Sequence, residues 1–155
     1  MIPQVVNTYG FHRGFIEQGD YLAFFVQLVL FQFLHGDLLH LFLNGYFLYA
    51  AGPEVETRMS KDRYISFFVS STLFVAMSLY LLSPLSLTIG ISGFCMALLS
   101  YLWIDLYTIR HPMATQIGIM LIINILLGLS GNISFVGHAA GAVWGIVWWQ
   151  MRKKW

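Results

Sequence analysis

The sequence predicts an all-α polytopic membrane protein with five transmembrane spans and one interfacial helix; six spans are the alternative. Three observations lead there. Charged residues make up 10% of the 155 positions, against 58% apolar and 17% aromatic, whereas a soluble domain averages about 25% charged. Mean hydropathy is +0.72. The eight basic and seven acidic residues are also spaced so that long uncharged runs separate them, in lengths that suit a bilayer.

The runs define the elements. Residues 21–36 and 38–53 are two uncharged stretches divided by Asp37. The first contains Gln27 and Gln32, which leaves it short of the roughly 20 apolar residues that cross a bilayer as a helix, so it reads as interfacial or re-entrant. The second extends past Glu54 into a plausible span. Residues 64–104 and 111–151 are each uncharged for 41 positions, enough for two spans and a turn. Turn chemistry falls near the middle of both, at Ser83-Pro84-Leu85-Ser86 and Gly128-Leu129-Ser130-Gly131-Asn132. Each run therefore reads as a helical hairpin. The domain plan is an external N-terminal arm over 1–20, a membrane domain over 21–151 and a basic cytosolic tail over 152–155.

Orientation follows from the basic residues. Arg58, Lys61, Arg63, Arg110, Arg152, Lys153 and Lys154 fall on one side under the five-span plan, and the two opposite turns carry no Lys or Arg. By the positive-inside rule that side, including the C-terminus, is cytosolic. The N-terminus has no basic segment followed by an apolar one, so no signal peptide is expected. Cys95 is the only cysteine, which excludes an internal disulfide or a thiolate metal cluster. A net charge of +1 gives no nucleic-acid footprint.

Polar groups within the spans are costly and mark candidate sites. His40 and Asn44 lie four apart on one helical face, with His35 just upstream. Ser92 lies in Gly90-Ile91-Ser92-Gly93 and His138 in Gly137-His138-Ala139-Ala140-Gly141. The three sets open alternate spans that run from outside to inside. At about 1.5 Å rise per residue they share a depth within roughly 10 Å of the outer surface. Gly137, Gly141 and Gly145 leave a smooth helix face that admits another backbone. If that backbone belongs to the span opened by Gly90 and Gly93, the Ser92 hydroxyl comes within reach of His138. Histidine could then take the serine proton and return it to a leaving amine. No acidic residue lies within reach to orient the histidine, so the arrangement is a dyad. His40, Asn44 and the Ser92 backbone N–H would donate to an oxyanion, with Gly90 beside them.

These residues resemble the rhomboid intramembrane serine proteases. His40-x-x-x-Asn44, Gly90-x-Ser92-Gly93 and His138-x-x-Gly141-x-x-x-Gly145 occur in that family's order and spacing. The string from Phe33 to Asn44, followed by Gly52-Pro53-Glu54-Val55-Glu56, is similar to its second helix. The resemblance covers roughly residues 20–150 and implies a rhomboid-like helical bundle. It also implies Ser92 as nucleophile, His138 as general base, and His40 and Asn44 as oxyanion donors. No metal and no cofactor is expected. The implied partners are transmembrane protein substrates and the lipid bilayer, with no nucleic acid, and the implied location is a multi-pass position in a bacterial inner membrane. Two departures stand out. The family's first transmembrane helix is expected to be missing, and Met96 stands where some members carry a tyrosine that stacks on the catalytic histidine.

Blander readings exist for each residue alone. A membrane serine often bonds its own backbone, glycines pack helices, and a buried histidine can be structural. They leave the shared depth and order unexplained. A metal site built from His35, His40 and His138 would leave the Gly-x-Ser-Gly turn without a role. A transporter would show paired halves and midplane carboxylates. The competing class is a non-catalytic rhomboid-like protein that binds membrane clients. His12 and His111 read as surface residues, and Trp144, Trp148, Trp149 and Trp155 as anchors at the inner interface.

Overall fold

The computed structural model describes residues 3–83, 86–130 and 134–152. Pro84 and Leu85 of the first expected turn, Gly131 and Asn132 of the second, and Lys153, Lys154 and Trp155 of the basic tail lie outside the described residues. The chain is an all-α bundle. Its elements are α1 (Pro3–Tyr9), α2 (Gly14–Glu17), α3 (Tyr21–Leu30), α4 (Leu38–Glu56), α5 (Lys61–Leu82), α6 (Ser92–Thr108), α7 (Ala114–Leu127) and α8 (Phe135–Met151). Short 3-10 turns extend α3 over Phe31–Phe33 and α7 over Gly128–Ser130.

The helix starts are local chemistry. Asp20 accepts from the Ala23 amide at 3.0 Å, Asp37 from the His40 amide at 2.8 Å, and Ser134 from the Gly137 amide at 3.1 Å. Each caps an orphan N–H of a first turn. Asp37, which interrupts the apolar run in the sequence, is thus the start signal of α4. There the chain turns sharply, and α3 with its 3-10 extension meets α4 at 80°.

Of these helices, α5 is long and apolar enough by itself to cross a membrane, and the bent pair of α3 and α4 passes the same test when taken together. Large apolar side chains point outward from several elements, among them Leu22, Leu38, Phe42, Leu73 and Ile122. An outer surface of this kind suits lipid rather than water.

At the centre, α6 is buried nearly all round, from Gly93 and Phe94 through Tyr101 to Leu106, as expected of a helix enclosed by others. Its closest neighbour is α8. A Cβ placed on Gly141 would collide with the Gly93 carbonyl, and one on Gly145 with the Ala97 carbonyl. The two backbones therefore touch at two points one helical turn apart. Phe67 of α5 packs against Phe94, Tyr101 and Trp148.

A second cluster joins the N-terminal arm to the bundle. Phe11 and Phe31 pack with Val75, Ala76 and Leu79 of α5 and Ala140 of α8, and Phe11 exchanges backbone hydrogen bonds with Thr88 at 2.8 and 3.0 Å. The two glutamines that shorten the first apolar run are internal ties. Gln27 donates to the Thr8 carbonyl at 3.2 Å, and Gln32 accepts from the Thr72 hydroxyl at 2.9 Å.

At the other end of α6, Asp105 forms a hub. It accepts from Arg58 Nε at 2.9 Å, from Trp149 Nε1 at 3.0 Å and from Arg152. Three of the four tryptophans expected as interface anchors also make internal contacts, and Trp155 lies outside the described residues. Trp149 is buried on Asp105, Trp144 donates to Ser70 Oγ at 3.1 Å, and Trp148 stacks on Phe67 at 5.3 Å.

Two stability contrasts follow. Gly141→Ala and Gly145→Ala force backbones apart and should lower unfolding free energy by about 2 kcal/mol or more. Gly45→Ala, where an added Cβ meets nothing within 4 Å, should raise it by about 0.5 kcal/mol. Asp105→Ala strands two arginines and an indole and should cost about 3 kcal/mol, whereas Glu54→Ala, on an exposed pair with Arg58, should cost under about 1 kcal/mol. Denaturant titration in mixed micelles measures all five.

Candidate active site

The site is assembled where the loop before α6 passes α4. Gly90 adopts φ +105°, a conformation that favours glycine, and its N–H donates to the Phe31 carbonyl at 2.9 Å. A Cβ there would fall 2.8 Å from His40 Nε2 and 3.5 Å from Asn44 Nδ2. Backbone conformation and available space thus both require glycine, and its absent side chain lets the loop lie directly against His40 and Asn44. Two residues later, half-buried Ser92 begins α6.

The opposite wall is α8. Gly93 contacts Gly141 through its carbonyl, and a Cβ on Gly93 would stand 3.4 Å from the Gly137 carbonyl oxygen. Ser92 precedes Gly93 in sequence, and His138 lies between Gly137 and Gly141. The same contact therefore brings the turns carrying both residues together.

The hydrogen bonds of the two histidines define their protons. His138 is 4% exposed, and its Nδ1 lies 2.8 Å from the Asn124 carbonyl oxygen of α7. A carbonyl only accepts, so Nδ1 carries the hydrogen and Nε2 keeps a free lone pair. That Nε2 is buried and has no partner. His40 is the reverse case. The Gly36 N–H donates to His40 Nδ1 at 3.3 Å, which makes Nδ1 the acceptor and leaves the hydrogen on Nε2, the atom facing Gly90. Asn44 is buried, with a donor Nδ2 that is also unpartnered. One proton acceptor and two proton donors thus occupy the neighbourhood of Gly90 and Ser92.

The Asn124 carbonyl is available because α7 tightens at its end. The Gly128 N–H bonds the Ile125 and Leu126 carbonyls, so the i to i−4 bond that would occupy Asn124 is not made. A Cβ on Gly128 would overlap the Phe135 backbone, so this glycine also permits α8 to begin close against α7.

All five residues singled out by sequence are placed at this end of the bundle. His40, Asn44 and Gly90 adjoin one another. Ser92 and His138 stand on abutting helix ends, and no hydrogen bond joins them, since His138 Nε2 has no partner. His35 packs edge-on against His40 with ring centroids 5.0 Å apart. Among the described residues, no three His, Cys, Asp or Glu side chains come together as a metal-binding group. Met96 is fully buried. Two further groups, the Asn124 carbonyl and the Gly36 amide, escaped the sequence reading. Both are backbone atoms with no side-chain signature, although Asn124 is itself an isolated polar residue in an apolar run.

Comparison with known families matches residues 23–154 to the model described as Rhomboid domain. No curated protein matches the chain.

The tautomers are directly measurable. In histidine labelled with 15N and recorded above neutral pH, His138 should report hydrogen on Nδ1 and His40 hydrogen on Nε2. The reverse pattern at either ring would remove its assigned polarity.

Proposed function

The chain belongs to the rhomboid family, and from that premise we propose that it is an intramembrane serine endopeptidase using Ser92 and His138. The observation that carries this reading is the buried, unpartnered Nε2 of His138, held by Asn124 in the proton-accepting tautomer beside the helix end that begins with Ser92. A buried acceptor left open costs about 1–3 kcal/mol, a cost best explained by a proton it is placed to receive.

In the proposed reaction Ser92 Oγ attacks the scissile carbonyl as its proton passes to His138 Nε2. Charge developing on the carbonyl oxygen meets the Ser92 N–H, His40 Nε2–H and Asn44 Nδ2, donors already oriented before reaction. The imidazolium then returns its proton to the leaving amine, which breaks the peptide bond and leaves an acyl-Ser92 ester. Water, deprotonated by the same nitrogen, hydrolyses the ester. The substrate is a transmembrane segment that unwinds near its outer end, because a helical backbone hides its peptide bonds.

The proposal includes the finer topology. Residues 21–33 form an interfacial or re-entrant element, supported by their 80° break from α4. Five spans follow, and the Arg58 and Arg152 end faces the cytosol. Residues 1–20 form an external arm and 152–155 a basic tail. The protein lies in the cell membrane of a bacterium.

A second reading, a rhomboid-like protein that binds clients without cutting them, draws support from the absence of a hydrogen bond at His138 Nε2. One experiment separates the two. A fluorophosphonate probe should label the intact chain in detergent. Ser92→Ala should abolish labelling, and His138→Ala should slow it by about 10³-fold or more. Labelling that survives Ser92→Ala, or an intact chain that never labels, rejects the protease.

A further inference from the structure

A second concave site lies at the opposite end of the bundle. Arg58, Arg63 and Arg152 line a pocket of about 300 Å³ together with Ser66, Tyr101 and Trp148. At roughly 30 Å³ per water this holds about ten waters, ample room for a small anionic group. No acidic side chain is part of the lining.

The charges are held in place rather than cancelled. One carboxylate, Asp105, anchors two of the guanidinium groups, binding Arg58 through Nε and Arg152 through Nη1. The Arg152 guanidinium also lies over the Trp149 ring, 4.3 Å from its centroid, which further limits its orientations. Glu54 meets Arg58 from the solvent side. Arg63 makes no ion pair or hydrogen bond among the described residues and is only partly exposed. Asp105 therefore fixes two of the three guanidinium groups, Arg63 is left without an internal partner among the described residues, and all three line a cavity with an aromatic wall.

Guanidinium is the group suited to fork-like binding of phosphate oxygens. Basic pockets between helices at the cytosolic end of a membrane bundle suit phospholipid head groups. Lys61 and Arg110 belong to the same basic set in the sequence, so an anion would be drawn to this end before it is bound. We infer that the Arg58–Arg63–Arg152 pocket binds a phosphate ester, with the phosphate between the guanidinium groups and the apolar portion of the ligand against Trp148 and Tyr101. The inference does not depend on Ser92 or His138, and binding can be read without any assay of activity.

The test uses the full chain in a non-ionic detergent, with short-chain phosphatidylglycerol, glycerol 3-phosphate and the matching diacylglycerol as probes. Binding is read by native mass spectrometry and by the shift of the thermal unfolding midpoint. Phosphatidylglycerol should bind saturably. Arg63→Gln, which removes no internal partner, should weaken it about tenfold or more, and Arg110→Gln, outside the pocket, should leave it unchanged. Glycerol 3-phosphate binding as tightly as the lipid, with the same loss in Arg63→Gln, supports the phosphate site and makes a soluble ester its ligand. Diacylglycerol binding as well as phosphatidylglycerol overturns the inference. So does an equal loss in the two variants, or no saturable binding of either phosphate probe.

Discussion

The α6–α8 backbone contact governs the arrangement of everything else. Gly93 against Gly141, and Ala97 against Gly145, bring two helices closer than any side-chain layer would allow. In a medium that offers little hydrophobic drive for helix association, close packing and polar contacts must hold the bundle. The contact also sets distances without rotamer freedom, since backbone atoms bear on backbone atoms. Ser92 and His138 flank its upper point, so the separation of their helix ends is a property of the main chain. On the other sides α6 is enclosed by α4, α5 and α7, which pack outward from this fixed pair.

The polar groups around the site are unbalanced in an ordered way. His138 and His40 are opposite tautomers, each selected by a backbone group from a different part of the chain. Together with Asn44 they leave one acceptor and two donors around the Gly90 loop. Unmet polar atoms usually weaken a fold, and His138 Nε2, Asn44 Nδ2 and His35 Nε2 have no hydrogen-bond partner at this end of the bundle, nor do Ser71 Oγ in α5 and Arg13 Nε in the N-terminal arm. Gly90 is required beside His40 and Asn44, because a Cβ there would collide with His40.

Much of this was legible in the sequence, for physical reasons that can be named. Charge-free runs of bilayer length follow directly from the cost of burying ions, and they located α5, α6, α7 and α8. The i, i+4 spacing of His40 and Asn44 and the four-residue glycine repeat of α8 are helical periodicities that survive in any context. What stayed hidden depends on atoms without side-chain identity or on long-range pairing. The Asn124 carbonyl is free only because α7 tightens at Gly128, and the Gly36 amide serves His40 only because of the turn before α4. Asp105 closes the uncharged run 64–104, but nothing local marks Arg58 and Arg152 as its partners. Trp149 was grouped with interface residues by composition, and its hydrogen bond to Asp105 carries no sequence signal.

The Asp105 hub has a consequence for the order in which the protein is completed. Its two arginines stand 47 residues before and 47 residues after it. During synthesis, which delivers the chain N-terminus first, Asp105 can meet Arg58 as soon as α6 is in place. The second arginine arrives only with the end of α8. His138 rides on that same helix, so the second link to Asp105 and the open Nε2 of His138 are delivered together. A nascent chain thus holds Ser92 for the whole interval before α8 without the helix that packs against its own. Assembly of the candidate site is tied to closure of the bundle by the order of the chain itself.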